Sequence, residues 1–174
     1  MKRIKSPRLA CLLAAVLLIA SSGRLYGSPT EILQPIGSTT LKVFFWTIYE
    51  STLYSDDGRY RGIEPGLALK IDYRRSVRRD QLIETTREQW RELNLYDSGE
   101  SEAWLNILAE LWPDIKRGDS ITLYVESDLS ASFFYNDKAM GQITDPRFTQ
   151  SFLAIWLSEN STFPRLRSEL IGLN

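Results

Sequence analysis

Residues 120–157 read SITLYVESDLSASFFYNDKAMGQITDPRFTQSFLAIWL. Three short runs, 120–126, 131–136 and 138–144, are rich in β-branched and aromatic residues and predict strands. Their connections are Ser127-Asp128-Leu129-Ser130 and Asn136-Asp137-Lys138. Loops this short leave no room for a crossover, so the strands form an antiparallel meander. Asp145-Pro146 then places an N-cap residue before a proline at the first helical position. In the helix that follows, Phe148, Phe152, Ile155 and Trp156 recur at helical spacing and make one apolar stripe. A sheet must receive that stripe, because a single domain of this size offers no other apolar layer.

Working upstream, residues 101–112 predict a helix with Trp104, Leu108, Leu111 and Trp112 on its apolar side, stopped by Pro113. Residues 77–94 predict another, with Leu82, Thr86, Trp90 and Leu93 on one face and charges elsewhere. Residues 67–73 alternate Leu67, Leu69, Ile71 and Tyr73 with Ala68, Lys70 and Asp72, the pattern of a half-buried strand. Asp56-Asp57-Gly58 reads as a turn. Residues 41–54 read as one long strand or two strands meeting at a bend, and 28–35 as a loose lead-in. A last helix spans 164–171. Strands, helices, strands and helices follow one another without βαβ alternation. The expected class is therefore α+β, an antiparallel sheet covered on one face by helices.

The chain has 174 residues, five tryptophans, one cysteine (Cys11) and no histidine. His-based triads, His/Cys zinc sites, CxxC redox chemistry and internal disulfides are excluded. Residues 1–8 carry Lys2, Arg3, Lys5 and Arg8, residues 9–20 are apolar, and Ser21-Ser22-Gly23 follow. A basic segment, a short apolar segment and small residues describe a secretory signal peptide, with the cut at about 22–28. The apolar run is too short to span a bilayer, which takes about 20 residues. Cys11 sits at the start of that run, with most of the apolar residues after it, the wrong order for lipidation. Removing 1–27 takes away five basic residues and no acidic one, leaving 16 Lys+Arg against 22 Asp+Glu, a net charge of −6. The expected product is one exported, periplasmic or secreted domain over 28–174, not stably inserted in a membrane. Nothing in its charge points to nucleic acid, and its oligomeric state is left open.

The order of several short segments carries a resemblance. Tyr49-Glu50-Ser51-Thr52-Leu53-Tyr54, Ile115-Lys116-Arg117-Gly118-Asp119, Ile121-Thr122-Leu123-Tyr124, residues 133–143 (FFYNDKAMGQI), Phe148 and Ala154-Ile155-Trp156-Leu157 occur in this sequence. In that order they resemble the bacterial, exported branch of the chalcone isomerase-like family, over about residues 35–172. The resemblance implies an antiparallel sheet under helices with an apolar cleft between them. Plant members cyclise chalcones to flavanones in that cleft, while others resemble fatty-acid-binding proteins. It also implies places for catalytic groups. The arginine that would hold a developing phenolate falls at Gly37-Ser38-Thr39-Thr40, where there is none. The strand threonine falls near Tyr49, the helix tyrosine near Leu82, the asparagine near Glu88 or Gln89, and the late hydroxyl residue near Ala154 or Ile155. Without a cation where the oxyanion forms, the largest catalytic contribution is missing.

Other candidates weigh less. Arg74, Arg75, Arg78 and Arg79 cluster before a helix and read either as a solvated basic edge or as an anionic head-group site. The tryptophans and phenylalanines either fill a core or line a cleft. Arg117-Gly118-Asp119 reads as a turn before a strand rather than an adhesion motif. Asn160-Ser161-Thr162 is a glycosylation sequon, relevant only in a glycosylating host. Asp114 and Asp119 lack the further oxygen donors of a calcium loop. No metal and no cofactor are called for. The candidate ligand contacts are Thr39, Thr47, Tyr49, Arg74, Arg78 and Trp156. Three functions remain in view: a non-catalytic holder of an apolar or fatty-acid-like ligand, an intramolecular lyase using Tyr49 and nearby hydroxyls, and an interaction module whose cleft is filled by its own tryptophans. The leader reading is checked by intact mass. The exported protein should lack about 22–28 residues, and full-length chain in the membrane fraction would contradict it.

Overall fold

The computed structural model describes residues 27–173; the expected leader, apart from Gly27, and with it Cys11 lie outside this range. Six strands form one antiparallel sheet in sequential order: β1 (Gln34–Val43), β2 (Trp46–Ser55), β3 (Ala68–Tyr73), β4 (Ser120–Val125), β5 (Ala131–Tyr135) and β6 (Lys138–Ile143). Two helices, α1 (Arg79–Glu92) and α2 (Glu100–Leu111), are inserted between β3 and β4. Two more, α3 (Pro146–Leu157) and α4 (Pro164–Leu170), follow β6. The helices pack on one face of the sheet, as the element order predicts.

The downstream half follows its turn chemistry. Asn136 and Asp137 both take positive φ, 47° and 63°, between paired Tyr135 and Lys138. That is the two-residue turn whose twist matches an antiparallel pair, and short polar side chains tolerate it. The Asp145 carboxylate accepts from the Arg147 amide at 3.0 Å, capping α3 with Pro146 in its first turn.

The upstream half departs from expectation. The segment 41–54 is a hairpin, and its first strand begins at Gln34, inside what reads as lead-in. Pro35 and Gly37 both argue against a strand, but β1 is a sheet edge, where a missing N–H costs no ladder bond. A bulge between Pro35 and Gly37 absorbs the irregularity. The hairpin closes with Phe44-Phe45, and Phe44 holds φ 54°. A bulky residue in this left-handed region is strained by roughly 1–3 kcal/mol. A second bulge in β2 pairs Leu41 with Tyr49 and Lys42 with Thr47, leaving Ile48 extra. The first predicted helix starts two residues late, because Val77 instead bridges Ile115 through paired backbone hydrogen bonds of 3.0 and 2.9 Å.

Between sheet and helices lies a core rich in rings. Trp90 and Trp104 pack edge to face at 5.8 Å, Trp104 and Phe148 at 5.8 Å, and Phe148 stacks on Phe152 at 5.4 Å. Phe133 of β5 meets Phe152 at 5.8 Å, which ties the helices to the sheet. Such pairs contribute about 0.5–1.5 kcal/mol each beyond the area they bury. Trp90 also donates from Nε1 to the Ser151 carbonyl at 2.9 Å. Arg87 links α1 to α2 through Glu102, with Nε to Oε1 at 2.7 Å. The opposite face of the sheet is not bare: Ala68, Thr122 and Phe134 are buried there, and the helical turn Pro29–Glu31 touches β3.

At the other edge α4 rests directly on β1. A Cβ on Gly37 would meet the Glu169 and Leu170 carbonyl oxygens at 2.2 and 2.7 Å. These are backbone atoms that cannot swing aside. Gly37→Ala should therefore lift α4 and cost about 1–3 kcal/mol, the usual penalty of overpacking. Urea unfolding checks this; an unchanged midpoint would contradict the contact.

Candidate functional site

A cavity of about 350 Å³ lies between sheet and helices, walled by side chains from β1–β5, α1, α3 and α4. The sheet contributes Leu69, Ile71, Leu123 and Phe133, the inward members of alternating strands. The helices contribute Leu82, Phe152, Ile155 and Trp156. Both bulged residues of β2, Ile48 and Tyr49, line it, since a bulge lets neighbours share a face. Its exposed wall residues mark the mouth: Val43 at the end of β1, Thr85 on α1 and Phe163 before α4. Across this rim the Thr162 hydroxyl donates to Gln89 Oε1 at 3.1 Å.

No Asp, Glu, Lys or Arg lines the cavity among the described residues. Its polar groups are neutral. Trp156 Nε1 donates to the Tyr49 hydroxyl at 2.9 Å. Tyr73 packs beside Tyr49 with ring centroids 6.1 Å apart. Burial pushes the Tyr49 phenol up to about 12, against the smaller opposing effect of the Trp156 hydrogen bond. Burial raises the Tyr73 phenol as well, with the neighbouring Tyr49 adding to it. The Trp112 indole N–H is buried in this wall without a hydrogen-bond partner. Thr86 and Ser161 donate their hydroxyls to the carbonyls of Leu82 and Ile155.

Of the six candidate contacts, only Tyr49 and Trp156 are brought together in the cavity. Thr39 faces a groove under α4 and donates to the Glu169 carboxylate, which Arg165 also holds at 2.7 Å. Thr47 and Arg74 share a shallow exposed depression with Arg75 and Arg117, and Arg74 is paired with Glu50 at 2.6 Å. That guanidinium holds the Glu50 carboxyl below its usual range. Arg78 precedes α1, where its amide donates to Gln81 Oε1 at 3.0 Å. The four clustered arginines therefore contribute no side chain to the cavity. Of the positions the family's catalytic groups would occupy, Tyr49, Leu82, Gln89 and Ile155 do line it, while 37–40 do not. Tyr73, Gln89, Trp112 and Ser161 were not singled out as contacts. Tyr73 and Trp112 were legible as the ends of apolar patterns, whereas nothing in the local sequence marks Ser161. Among the described residues no group of three His, Cys, Asp or Glu side chains is placed to hold a metal ion.

The buried phenol has a consequence for stability. An unfolded tyrosine ionises near 10, and Tyr49 near 12 when folded. Below pH 10 both states are protonated and pH has no effect through this group. Between about 10 and 12 the unfolded state sheds its proton first, so stability should fall by about 2–3 kcal/mol. Tyr73 acts in the same direction. Tyr49→Phe should flatten the alkaline fall while costing about 1–3 kcal/mol at neutral pH, because it leaves the Trp156 N–H unpaired. Urea titrations at pH 7, 10 and 11.5 check both signs; an unaltered alkaline limb in the variant would contradict the burial of this hydroxyl.

Comparison with known proteins places this geometry. The profile of the chalcone isomerase-like family matches residues 32–172. An uncharacterised protein of Haemophilus influenzae is 30% identical over 139 residues, covering 80% of this chain and 68% of that one. The crystal structure of an Arabidopsis thaliana fatty-acid-binding protein, AtFAP1, superposes with a TM-score of 0.58 at 12% identity, covering 82% of this chain and 88% of that one. At that identity the likeness is one of fold. The six-stranded antiparallel sheet, its single helical layer and the matched sequence together establish that this chain belongs to the chalcone isomerase-like family.

Proposed function

We propose that the protein is an exported, non-catalytic chalcone isomerase-like domain that holds an acyl chain or a similar apolar molecule between sheet and helices. The observation that carries this reading is the cavity itself: about 350 Å³, with an aliphatic and aromatic wall and no charged side chain. Small-molecule pockets run from roughly 300 to 1,000 Å³ and are mostly apolar with a few polar groups. Here those groups are the Tyr49 hydroxyl and the unpartnered Trp112 N–H. They suit a neutral polar atom of the ligand. A carboxylate buried among them would lack a counter-ion and bear a large desolvation cost, so an acidic ligand would keep its head group at the mouth. The fold likeness to a fatty-acid-binding protein supports the ligand class.

The rival readings meet specific obstacles. An interaction module with a filled cleft needs the tryptophans to occupy the space, yet Trp112 and Trp156 stand in the wall. A lyase forming a phenolate needs a cation or a strong donor array at the developing charge. No lysine or arginine reaches the cavity among the described residues, and neither buried phenol ionises near neutral pH.

Two assays separate the readings. Displacement of a fluorescent fatty acid should show saturable binding by the wild type. Leu82→Trp, which grows a wall residue into the space, should weaken it by roughly tenfold or more while the fold survives. With chalcone, purified protein should stay near the spontaneous rate, since loss of one oxyanion donor alone commonly costs on the order of 100- to 1000-fold. Saturable chalcone turnover together with absent fatty-acid binding would overturn the proposal.

A further inference from the structure

At the end of the β1–β2 hairpin, four consecutive apolar residues are exposed: Val43 (46%), Phe44 (91%), Phe45 (98%) and Trp46 (59%). This is a large apolar cost concentrated on a convex tip rather than scattered. Phe44 is held at φ 54°, at a turn position where glycine would be free of strain, so local conformation does not explain the ring. The tip is flanked by basic groups. Lys42 precedes it, Arg75 lies over the Trp46 ring at 3.8 Å, and Arg117 joins Arg74 and Arg75 around the depression beside Thr47. Lys42, Arg75 and Arg117 stand in no ion pair among the described residues; the cluster's one carboxylate, Glu50, is taken by Arg74. The tip also continues into the cavity, since Val43 is both exposed and part of its rim.

We propose that the Phe44-Phe45-Trp46 tip docks the protein on an anionic bilayer surface, rings in the interface and Lys42, Arg75 and Arg117 at the lipid head groups, so that the cavity mouth opens onto the membrane. Aromatic residues with adjacent cations are the chemistry of a membrane–water interface. The remainder of residues 28–174 is acidic, with a net charge of −6 overall, so an anionic surface attracts this end and repels the rest. The charge pattern thereby fixes the orientation. A second copy fits worse: a two-fold contact through this tip would set the same unpaired cations against each other. A rigid protein partner fits worse too, because a projecting two-residue turn cannot supply the roughly 800 Å² per side of a stable interface. No helix among the described residues is long and apolar enough to cross a membrane. The proposal rests on the acyl-chain reading only for its purpose; docking itself stands on the tip.

The experiment is co-sedimentation of the mature protein with phosphatidylcholine vesicles, with and without phosphatidylglycerol. Phe44→Ser/Phe45→Ser and Arg75→Glu/Arg117→Glu serve as variants; none of these side chains lines the cavity. Wild type should bind the phosphatidylglycerol vesicles, less so as salt rises. The serine variant should lose roughly tenfold or more in partitioning, and the glutamate variant its preference for the anionic lipid. Both variants should bind fatty acid in solution like wild type. Wild type that ignores the anionic vesicles, or variants that bind them equally, would overturn docking. So would a wild-type dimer by sedimentation velocity that the serine variant abolishes without any vesicle binding. Vesicle binding without fatty-acid binding would uphold docking and remove the cavity reading instead.

Discussion

The spacing between the helical layer and the sheet is set by rings. Trp90, Trp104, Phe148 and Phe152 form a contiguous edge-to-face and stacked cluster, and Phe133 carries it onto β5. These side chains are stiff and bulky, so α3 cannot settle closer to the strands than their width allows. At the opposite edge the support is the reverse kind: α4 lies backbone to backbone on β1 at Gly37, where no side chain intervenes. The cavity lies between these two supports, and Trp156, which meets Phe152 at 5.4 Å, stands at its boundary.

This geometry explains why a domain with an ample apolar core retains a void. Interiors ordinarily close-pack, and unfilled space forfeits dispersion contacts. Collapse here would need smaller rings along α3, and Phe148 and Phe152 are not small. The hydrogen bond from Trp156 to Tyr49 further fixes one wall, joining α3 to the bulged segment of β2. The cavity is thus a property of the packing, independent of any ligand.

Sequence reading reached the parts governed by local rules. The short connection at Asn136-Asp137-Lys138, the Asp145 cap and the alternation from Leu67 to Tyr73 each act within a few residues, and the hairpin, the helix and the strand they predict are present, the turn itself narrowing to Asn136-Asp137. The first strand was hidden because its tolerance of Pro35 and Gly37 comes from lying at an edge under α4, a tertiary circumstance. The family resemblance implied a cleft, but residue patterns alone could not mark its walls, for a related reason. Filling a core and lining a void call for the same apolar residues at the same spacing: Ile83 is core and its neighbour Leu82 is wall, with nothing in their chemistry to separate them. The arginines do not act as one group. Adjacent in sequence, they disperse as strand gives way to helix, with Arg74 on Glu50, Arg75 on Trp46 and Arg78 ahead of α1. The signal at Phe44-Phe45-Trp46 read as strand composition, because exposure of an aromatic run depends on where the hairpin turns.

On the proposed function, an apolar molecule occupies this packing-imposed space in the living cell. Native mass spectrometry of the protein purified from its own compartment, without detergent or denaturant, addresses it directly. The expected spectrum shows the processed polypeptide accompanied by a discrete adduct of lipid mass that is released on unfolding and depleted in Leu82→Trp. The polypeptide mass alone, in wild type and variant alike, would contradict it.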